Sequence, residues 1–249
     1  MKVAVIGAGN GGQAIAGYLA MQGYEVALYD IVVEKIDELR KLGGIKLEGR
    51  ICGFGKLGYI TTNIEEAVQG AEIVMVTTIA NAHKAVAQSM APYVVDGQVI
   101  ILNPGRTCGA LVFKQALVDA GCKARFYLAE AQTLVYACRI VQNGTVNIIG
   151  VKDEVLLSAL PSKDTDYVLS KINPLYPSFM KTTNVLRTSL ENIGAMFHPC
   201  VLLFNAATIE RNEVFWFYRD MTEQVAAFIE KFDAERLAVG KAYGIDLWE

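Results

Sequence analysis

The sequence predicts an α/β fold, in which an N-terminal doubly wound domain with a parallel sheet is followed by a partial all-α domain. Over the first part of the chain, short β-branched apolar runs alternate with helical stretches, the pattern of a parallel sheet covered on both faces. A glycine-rich turn joins the first strand to the first helix, and the β-branched runs stop near Thr183. We therefore expect a Rossmann domain at residues 1–183 and a helical domain at residues 184–249.

The individual elements follow from the apolar runs and the turns between them. Strands are predicted in KVAVI, EVALYD, EIVMVT, QVIILN and ARFYLAEA, and helices in GGQAIAGYLAMQG, VVEKIDELRKLG and CGALVFKQALVDAG. The segment YACRIVQNGTVNIIGV predicts a hairpin that turns at Asn143 and Gly144. Residues 43–58 are rich in glycine and predict a short edge hairpin, with a mobile flap as the alternative.

Two helices are predicted in the C-terminal part of the chain. In TEQVAAFIEKFDAERLAVGKAYG the apolar residues recur at helical spacing, and Gly244 suits the C-terminal cap. Pro199 disfavours α geometry at His198 and fits the first position of a helix, so His198 is predicted to stand at a helix entry. Asn205 then lies two turns along on the same face, where either ligands or neighbouring backbone groups are its expected partners.

Charge, hydropathy and cysteine content exclude several classes of protein. The net charge is -3 and no cluster of Lys and Arg occurs, so neither nucleic acid nor a membrane surface is expected as a partner. No stretch approaches the ~18 apolar residues of a membrane span, and we expect a cytoplasmic protein. The five cysteines are odd in number and form no CxxC pair, so neither a disulfide framework nor a metal site is predicted.

The segment VAVIGAGNGG has the features of a dinucleotide-binding turn, although a purely structural turn or another adenosine ligand is the alternative. Gly7, Gly9 and Gly12 form a GxGxxG frame that follows a strand and opens a helix. Gly9 allows a pyrophosphate to approach the helix terminus, and Gly12 lets helix and strand pack closely. Asp30 ends the second strand, where a carboxylate binds ribose hydroxyls and repels the extra phosphate of NADP. NAD is therefore the favoured cofactor, with NADP as the alternative.

Two further loops leave the carboxyl ends of predicted strands, where ligands bind in this architecture. In NPGRTCG, we expect Asn103 and Arg106 near the nicotinamide half of the cofactor or an anionic substrate. In TTIANAH, we expect His83 to cap or pack the next helix, with a role in the site as the alternative. The imidazole of His198 suits proton transfer, and the residues alone leave a catalytic and a structural role open.

Several segments together resemble the octopine/nopaline (opine) dehydrogenase family. They are GAGNGG, NPGRTCGAL, EAQTLVYACR, NVLRTSL, FHP and AERLAVGKAYGI, and the resemblance runs over essentially the whole chain. This family joins the α-amino group of an amino acid to a 2-oxo acid and reduces the resulting imine with a nicotinamide cofactor. The resemblance therefore implies an NAD(P)-dependent dehydrogenase whose partners are these two small molecules.

The resemblance also implies roles for residues at the centre of the site. It makes His198, in the HP motif, the catalytic acid–base residue. It places Asn10 and Gly11 with the other residues of the cofactor-binding loop.

The substrate side of the site is expected to use several polar residues. Arg106 and Arg139 are matched to the two substrate carboxylates, although Arg139 equally suits a structural ion pair. Gln132 and Cys138 share a motif expected to line the amino-acid pocket, although Cys138 equally suits a small buried apolar position. Asn205 joins them as a candidate from the polar line that follows His198.

Members of this family continue well past residue 249. By resemblance, the further helical segment carries an aspartate that pairs with the histidine and an arginine that binds substrate. We therefore expect either a truncated sequence or a version that has lost half of its substrate site, and the uncovered helical face favours a homodimer. Two rival functions stay open: a ketopantoate-type reductase that acts on a 2-oxo acid without an amine, and an NAD-binding protein without catalysis.

Overall fold

A computed structural model describes residues 1–248 of the chain. Its strands are β1 (Lys2–Ile6), β2 (Glu25–Tyr29), β3 (Gly44–Gly49), β4 (Gly53–Lys56), β5 (Tyr59–Thr61), β6 (Ile73–Val76), β7 (Val99–Leu102), β8 (Tyr127–Ala131), β9 (Tyr136–Gln142), β10 (Thr145–Val151), β11 (Val155–Ala159) and β12 (Phe179–Lys181). Its α-helices are α1 (Asn10–Met21), α2 (Val33–Leu42), α3 (Ile64–Val68), α4 (His83–Met90), α5 (Gly109–Asp119), α6 (Thr165–Ile172), α7 (Val185–Leu190), α8 (Gly194–Phe204), α9 (Ala206–Glu210) and α10 (Glu223–Ala242).

The larger sheet has eight strands in the order β12-β11-β8-β7-β6-β1-β2-β5. All of its neighbouring pairs are parallel except β8 and β11. Val3 and Val5 of β1 belong to one hydrophobic core, and Ala4 and Ile6 belong to the other, because successive side chains of a strand point to opposite faces. Both faces of the sheet are thus buried, which confirms the predicted doubly wound α/β architecture.

The two predicted hairpins form a second sheet, with the order β4-β3-β10-β9. Strands β3 and β4 pair antiparallel, which confirms a hairpin rather than a flap in residues 43–58. Strands β9 and β10 pair antiparallel around Asn143 and Gly144, as the Asn-Gly turn predicts. Gly55 of β4 approaches α1 so closely that a Cβ atom there would lie 2.1 Å from the carbonyl oxygen of Gly17. This sheet therefore packs directly on the helix that follows the glycine loop.

After β12 ends at Lys181, the regular elements of the described chain are the helices α7 to α10. Helix α10 has 20 residues, begins after a Thr222 side chain that caps its N-terminus, and is followed by Gly244 at φ +66°. This confirms the predicted helix and its glycine cap. Between the first residue and residue 248, no helix is both long enough and apolar enough to cross a membrane.

The start of α8 differs from the prediction. The helix begins at Gly194, so Pro199 lies inside it and His198 is not an entry residue. The reason is local, because backbone amides of Ala195, Met196 and Phe197 already donate to the carbonyls of residues 192 and 193. One turn is therefore complete before the chain reaches the proline, whose missing N–H interrupts a helix that exists already.

Candidate active site

The glycine loop between β1 and α1 has two kinds of glycine. A Cβ atom at Gly12 would lie 1.7 Å from the carbonyl oxygen of Gly7, so only glycine lets α1 pack on this loop. Gly9 has an ordinary φ of -78°, and a Cβ atom there would meet nothing within 4 Å. The fold itself therefore does not require glycine at position 9. The open side of the loop, beside the first N–H groups of α1, fits the close approach of a pyrophosphate.

Asp30 stands beside this loop, immediately after β2. Its Oδ2 atom accepts hydrogen bonds from the backbone N–H of Ala8 at 2.7 Å and from Nζ of Lys35 at 3.1 Å. Its Oδ1 atom accepts from the backbone N–H of Val32 at 3.0 Å. The carboxylate is thus held where the ribose hydroxyls of a dinucleotide are expected, and one lysine lies against it.

The second sheet braces the glycine loop from outside. The backbone N–H of Ile140 in β9 donates to Oδ1 of Asn10 at 2.7 Å, and the thiol of Cys138 lies 3.4 Å from the carbonyl oxygen of Asn10. Gln13 of α1 accepts from the backbone N–H of Gly144 at 2.9 Å and donates to the carbonyl of Ala8 at 3.0 Å. The side chains of Asn10 and Cys138 therefore hold the loop in position.

Asn103 follows β7 and is buried. Its Nδ2 group donates to the carbonyl of Ile101 at 3.2 Å, while its Oδ1 atom has no hydrogen-bond partner among the described residues. A buried acceptor without a donor is costly, and a ligand amide would satisfy it. His83, by contrast, is the buried first residue of α4 and packs edge-to-face on Phe113, and burial lowers its pKa.

The loop from Pro104 to Cys108 has a strained backbone at two of its residues. Arg106 and Cys108 have φ values of 61° and 58°, which lie in the left-handed region that residues other than glycine rarely adopt. Such conformations persist where the surroundings hold them, and they cluster at functional sites. Arg106 is itself exposed on this loop.

Glu130, at the carboxyl end of β8, is the residue that holds the loop in place. Its Oε1 atom accepts from the hydroxyls of Thr188 and Ser189, the latter at 2.8 Å, and its Oε2 atom accepts from the backbone N–H of Ala110 at 2.8 Å. Ser189 also accepts from the backbone N–H of Cys108 at 2.9 Å. Burial raises the pKa of Glu130 in spite of these three bonds. One carboxylate thus joins the strained loop, α5 and α7.

Sequence reasoning missed Glu130. Its signals were a glutamate at the end of an apolar strand, in the segment YLAEA, and its place as the first residue of the motif EAQTLVYACR. A fully buried carboxylate in that position requires donors from other elements, which no local pattern reveals.

One cavity of about 480 Å³ collects residues from both parts of the chain. Among the predicted substrate and catalytic residues, Arg106, Gln132 and His198 line it. Further lining residues that were not among the predicted site residues are Thr133, Lys152, Glu191, Phe197 and Tyr218. The cavity lies where the loops after β7 and β8 meet α8, so the carboxyl edge of the larger sheet forms one of its walls.

His198 presents an exposed imidazole to this cavity. Its Nδ1 atom lies 2.9 Å from the carbonyl oxygen of Gly194, one turn earlier in α8. The ring packs on Phe217, with 5.0 Å between the ring centroids. The imidazole is therefore oriented from two sides, while Nε2 has no hydrogen-bond partner in the described part of the chain.

Two cations face the same cavity. Lys152 follows β10, and its Nζ atom donates to the hydroxyl of Thr133 at 2.6 Å. Burial lowers the pKa of Lys152, and the positive charge of Arg106 lowers it further. Across residues 1–248, neither Arg106 nor Lys152 forms an ion pair. Two cations without acidic partners suit a ligand with two negative groups.

The other three predicted substrate residues lie elsewhere. Cys138 is buried beneath the glycine loop, as the small apolar alternative describes. Arg139, its neighbour on β9, is exposed because alternate residues of a strand face opposite sides, and it forms no ion pair within the described chain. Asn205 ends α8 and donates to the carbonyl of Val201 at 2.9 Å, so a backbone group is its partner.

A second cavity of about 590 Å³ adjoins the first one. The two share Gln132, Glu191, Ile193 and Phe197 in their walls. The second cavity extends between α8 and α10, where most of its further lining residues are apolar. In the part of the chain that the structure describes, no three His, Cys, Asp or Glu side chains are grouped as metal ligands.

The chain is similar to several known proteins. Residues 181–249 match the family model of the NAD/NADP octopine/nopaline dehydrogenase α-helical domain, and residues 2–105 match the NAD-binding domain of 6-phosphogluconate dehydrogenase. An opine dehydrogenase of Arthrobacter sp. (strain 1C) is 35% identical over 246 residues, which cover 98% of this chain and 68% of that protein. An octopine dehydrogenase of Mizuhopecten yessoensis is 26% identical, over 97% of this chain and 64% of its own.

Solved structures show the same relationship. An octopine dehydrogenase in complex with NADH and L-arginine superposes with a TM-score of 0.80 at 25% identity, over 97% of this chain and 64% of that one. A ketopantoate reductase from Ralstonia eutropha JMP134 has a TM-score of 0.75 at 20% identity and shares the fold. The chain thus spans about two thirds of the length of the relatives that it matches.

Proposed function

Because this chain belongs to the octopine/nopaline (opine) dehydrogenase family, as its motifs indicated, we propose that it joins an amino acid to a 2-oxo acid and reduces the resulting imine with NADH or NADPH. The observation that carries the proposal is the single cavity that brings His198 and two unpaired cations to the edge of the nucleotide-binding sheet. Each part of this chemistry has a group in the chain that is suited to it.

The residues present fit a nicotinamide dinucleotide. Gly9 leaves room above the loop, Asp30 offers a carboxylate to the ribose, and Asn103 holds a buried acceptor without a donor. The cofactor supplies the hydride that reduces the imine carbon. NADH is favoured over NADPH, because Asp30 repels a phosphate on the ribose.

The two cations suit the two carboxylates of the substrates. An amino acid and a 2-oxo acid each carry one carboxylate, and the product retains both. Arg106 and Lys152 line one cavity and have no acidic partner within residues 1–248, so each is available to a carboxylate. Bound in this way, the two substrates are held next to each other, which lowers the entropic cost of their reaction.

His198 is placed to move protons. A carbonyl oxygen accepts and never donates, so Nδ1 carries the hydrogen shared with Gly194, and Nε2 keeps a free lone pair. Nε2 is then able to take a proton from the amino group of the substrate and to give it to the oxygen that leaves as water when the imine forms, with the same transfers in the opposite order in the reverse direction. Gln132 donates to the backbone carbonyl of Glu191 at 3.0 Å and so ties the end of β8 to the helical part.

The experiment that tests this function measures NADH consumption with 2-oxo acids in the presence and absence of amino acids, with the product identified by mass spectrometry. We expect rapid consumption only when both substrates are present, and a product that contains both. Equal consumption with the 2-oxo acid alone would identify a simple 2-oxo acid reductase. NADH binding without turnover on any substrate pair would identify a non-catalytic NAD-binding protein.

The predicted homodimer remains part of this proposal. Helix α8 exposes Leu203 and Phe204, and α10 exposes Phe228, whose ring packs on that of Phe204 with 4.9 Å between the centroids. An apolar surface of this kind favours association. Light scattering coupled to size-exclusion chromatography checks it, and the mass of a single chain at micromolar concentration would contradict the dimer.

A further inference from the structure

Glu191 lies where the two cavities meet. It follows α7, and it lines both the cavity of about 480 Å³ that contains His198 and the adjoining cavity of about 590 Å³. Its side chain is only 1% exposed. A carboxylate that is this deeply buried normally has its hydrogen bonds satisfied by neighbours.

One of its two oxygen atoms has no such neighbour. The Oε1 atom accepts from the backbone N–H of Trp248 at 2.9 Å, whereas Oε2 has no hydrogen-bond partner among residues 1–248. The nearest cations are Nε of Arg187, 3.7 Å from Oε1, and Nη1 of Arg236, 3.7 Å from Oε2. Both distances are longer than those of charge-assisted hydrogen bonds.

The donors of Arg236 are engaged elsewhere. Its Nε and Nη2 atoms donate to the two carboxylate oxygens of Asp233, at 2.6 and 3.0 Å. Its remaining hydrogen bonds go to the backbone carbonyls of Leu190 and Trp248. Arg236 therefore lowers the electrostatic cost of burying Glu191 but leaves its Oε2 atom without a donor.

From this geometry we propose that Glu191 binds the amino nitrogen of the amino-acid substrate, an assignment that rests on the proposed function. An amine or ammonium group supplies the N–H donors that Oε2 lacks. The same nitrogen is positively charged in the protonated imine, so a fixed carboxylate stabilises the species that accepts the hydride. The charges of the cavity then match the substrates, because Arg106 and Lys152 face carboxylates while Glu191 faces the nitrogen.

The position of Glu191 also indicates which part of the substrate the second cavity binds. A nitrogen held at the junction leaves the amino-acid side chain to extend between α8 and α10. The walls there include Ile193, Phe197, Ile229 and Leu237. Of the two further acidic residues in these walls, Asp233 is already paired with Arg236 and Glu230 is exposed to solvent, so an apolar side chain is the best fit.

The experiment compares binding of leucine with binding of 4-methylpentanoate, which has the same carbon skeleton and carboxylate but lacks the amine. Calorimetry is carried out on the NADH-loaded protein and on the Glu191→Gln variant. We expect the variant to bind leucine about tenfold or more weakly, and to bind 4-methylpentanoate within about twofold of the wild type. The matched control is Glu210→Gln, because Glu210 is an exposed carboxylate at the end of α9 that lines neither cavity, and it is expected to change neither affinity.

If Glu191→Gln fails to fold, a second variant tests the same assignment. Replacing Arg187 by glutamine removes one cation next to Glu191, so leucine should bind more tightly while 4-methylpentanoate does not. Wild-type protein that binds the two compounds alike, or a leucine preference that survives in Glu191→Gln, overturns the assignment. Opine formation by the wild type is measured separately. Its absence refutes the proposed function, whereas the binding data alone decide the role of Glu191.

Discussion

The Nδ1 atom of His198 lies 2.9 Å from the carbonyl oxygen of Gly194, in the preceding turn of the same helix. This contact determines the tautomer of the neutral ring, since the carbonyl requires a hydrogen on Nδ1. It performs the orienting task that a carboxylate performs in many catalytic histidine pairs. A backbone carbonyl, however, supplies no full negative charge to the protonated ring.

Replacing His198 by asparagine is expected to lower the rate of opine formation by about 10²- to 10⁴-fold, the usual contribution of a general acid–base residue. The affinity for NADH should stay within about twofold, because His198 lies apart from the glycine loop. Steady-state kinetics and fluorescence titration measure the two quantities. An unchanged rate of opine formation would show that His198 has only a structural role.

Replacing Gly9 by alanine is expected to weaken NADH binding by about tenfold or more and to leave the melting temperature within about 2 °C. The added methyl group meets no protein atom within 4 Å, but it occupies the side from which a pyrophosphate approaches. Gly58→Ala is the matched control, because a Cβ atom there makes only ordinary contacts far from the loop. A Gly9→Ala protein with wild-type affinity would place the cofactor elsewhere.

The preference for NADH over NADPH should respond in opposite directions to two substitutions. Asp30→Ser removes the negative charge that repels the extra phosphate, so the ratio of NADPH to NADH affinity should rise by about tenfold. Lys35→Ala removes the cation 3.1 Å from the Asp30 carboxylate, so the same ratio should fall. Titration with both cofactors measures the ratio, and Lys41→Ala on the exposed end of α2 is the control. If the ratio of NADPH to NADH affinity changed in the same direction in Asp30→Ser and Lys35→Ala, the assigned role of Asp30 would be contradicted.

Carboxylate binding should become weaker at alkaline pH because of Lys152. Burial and the charge of Arg106 lower the pKa of Lys152, so it loses its proton at a lower pH than an ordinary lysine. The KM of a carboxylate substrate is therefore expected to rise as the pH increases through this pKa. Arg106→Met should shift the rise to higher pH, and Lys152→Arg should abolish it. The same pH profile in Lys152→Arg as in the wild type would refute this explanation.

Glu130 is expected to make the stability of the protein depend on pH through its charge. Because burial raises its pKa in the folded protein, the stability it contributes is complete below the unfolded pKa and is lost as the pH rises through the folded pKa. Glutamine satisfies the same neighbours without a charge, since the hydroxyls of Thr188 and Ser189 also accept hydrogen bonds. The stability of the wild type relative to Glu130→Gln should therefore fall as the pH rises above the ordinary pKa of a glutamate, about 4.

Urea unfolding of both proteins at several pH values measures this difference, and a difference that is independent of pH would contradict it. Glu130→Leu provides the comparison for the hydrogen bonds. It leaves the backbone N–H of Ala110 without an acceptor and should be about 3 kcal/mol less stable than Glu130→Gln at every pH, since neither variant titrates at this position.

The sequence was sufficient to predict the elements that local patterns control. The strand–glycine–helix turn, the Asn-Gly hairpin and the buried parallel strands depend on residues that are close in the chain. Position 198 shows the limit of such rules, because the preference of a residue before proline was overruled by a helical turn that had already formed.

The site itself required the tertiary structure. Lys152 and Glu191 stand in no recognisable motif, and each reaches the cavity only because the sheets and α7 bring distant segments together. Cys138 and Arg139 belong to one motif, yet strand alternation sends one inward and the other to the surface. The family motif indicated their importance, but only the register of β9 shows which way each side chain points.

The contacts that Asn10 and Gln13 make with β9 and with the turn before β10 also have a thermodynamic consequence. Flexible loops lose conformational entropy when they close on a ligand, and that loss weakens the observed affinity. Here the loop is immobilised when the chain folds, because the second sheet supplies its hydrogen bonds in the absence of any ligand. A dinucleotide therefore meets a preorganised surface, and weakening the second sheet should weaken cofactor binding from a distance.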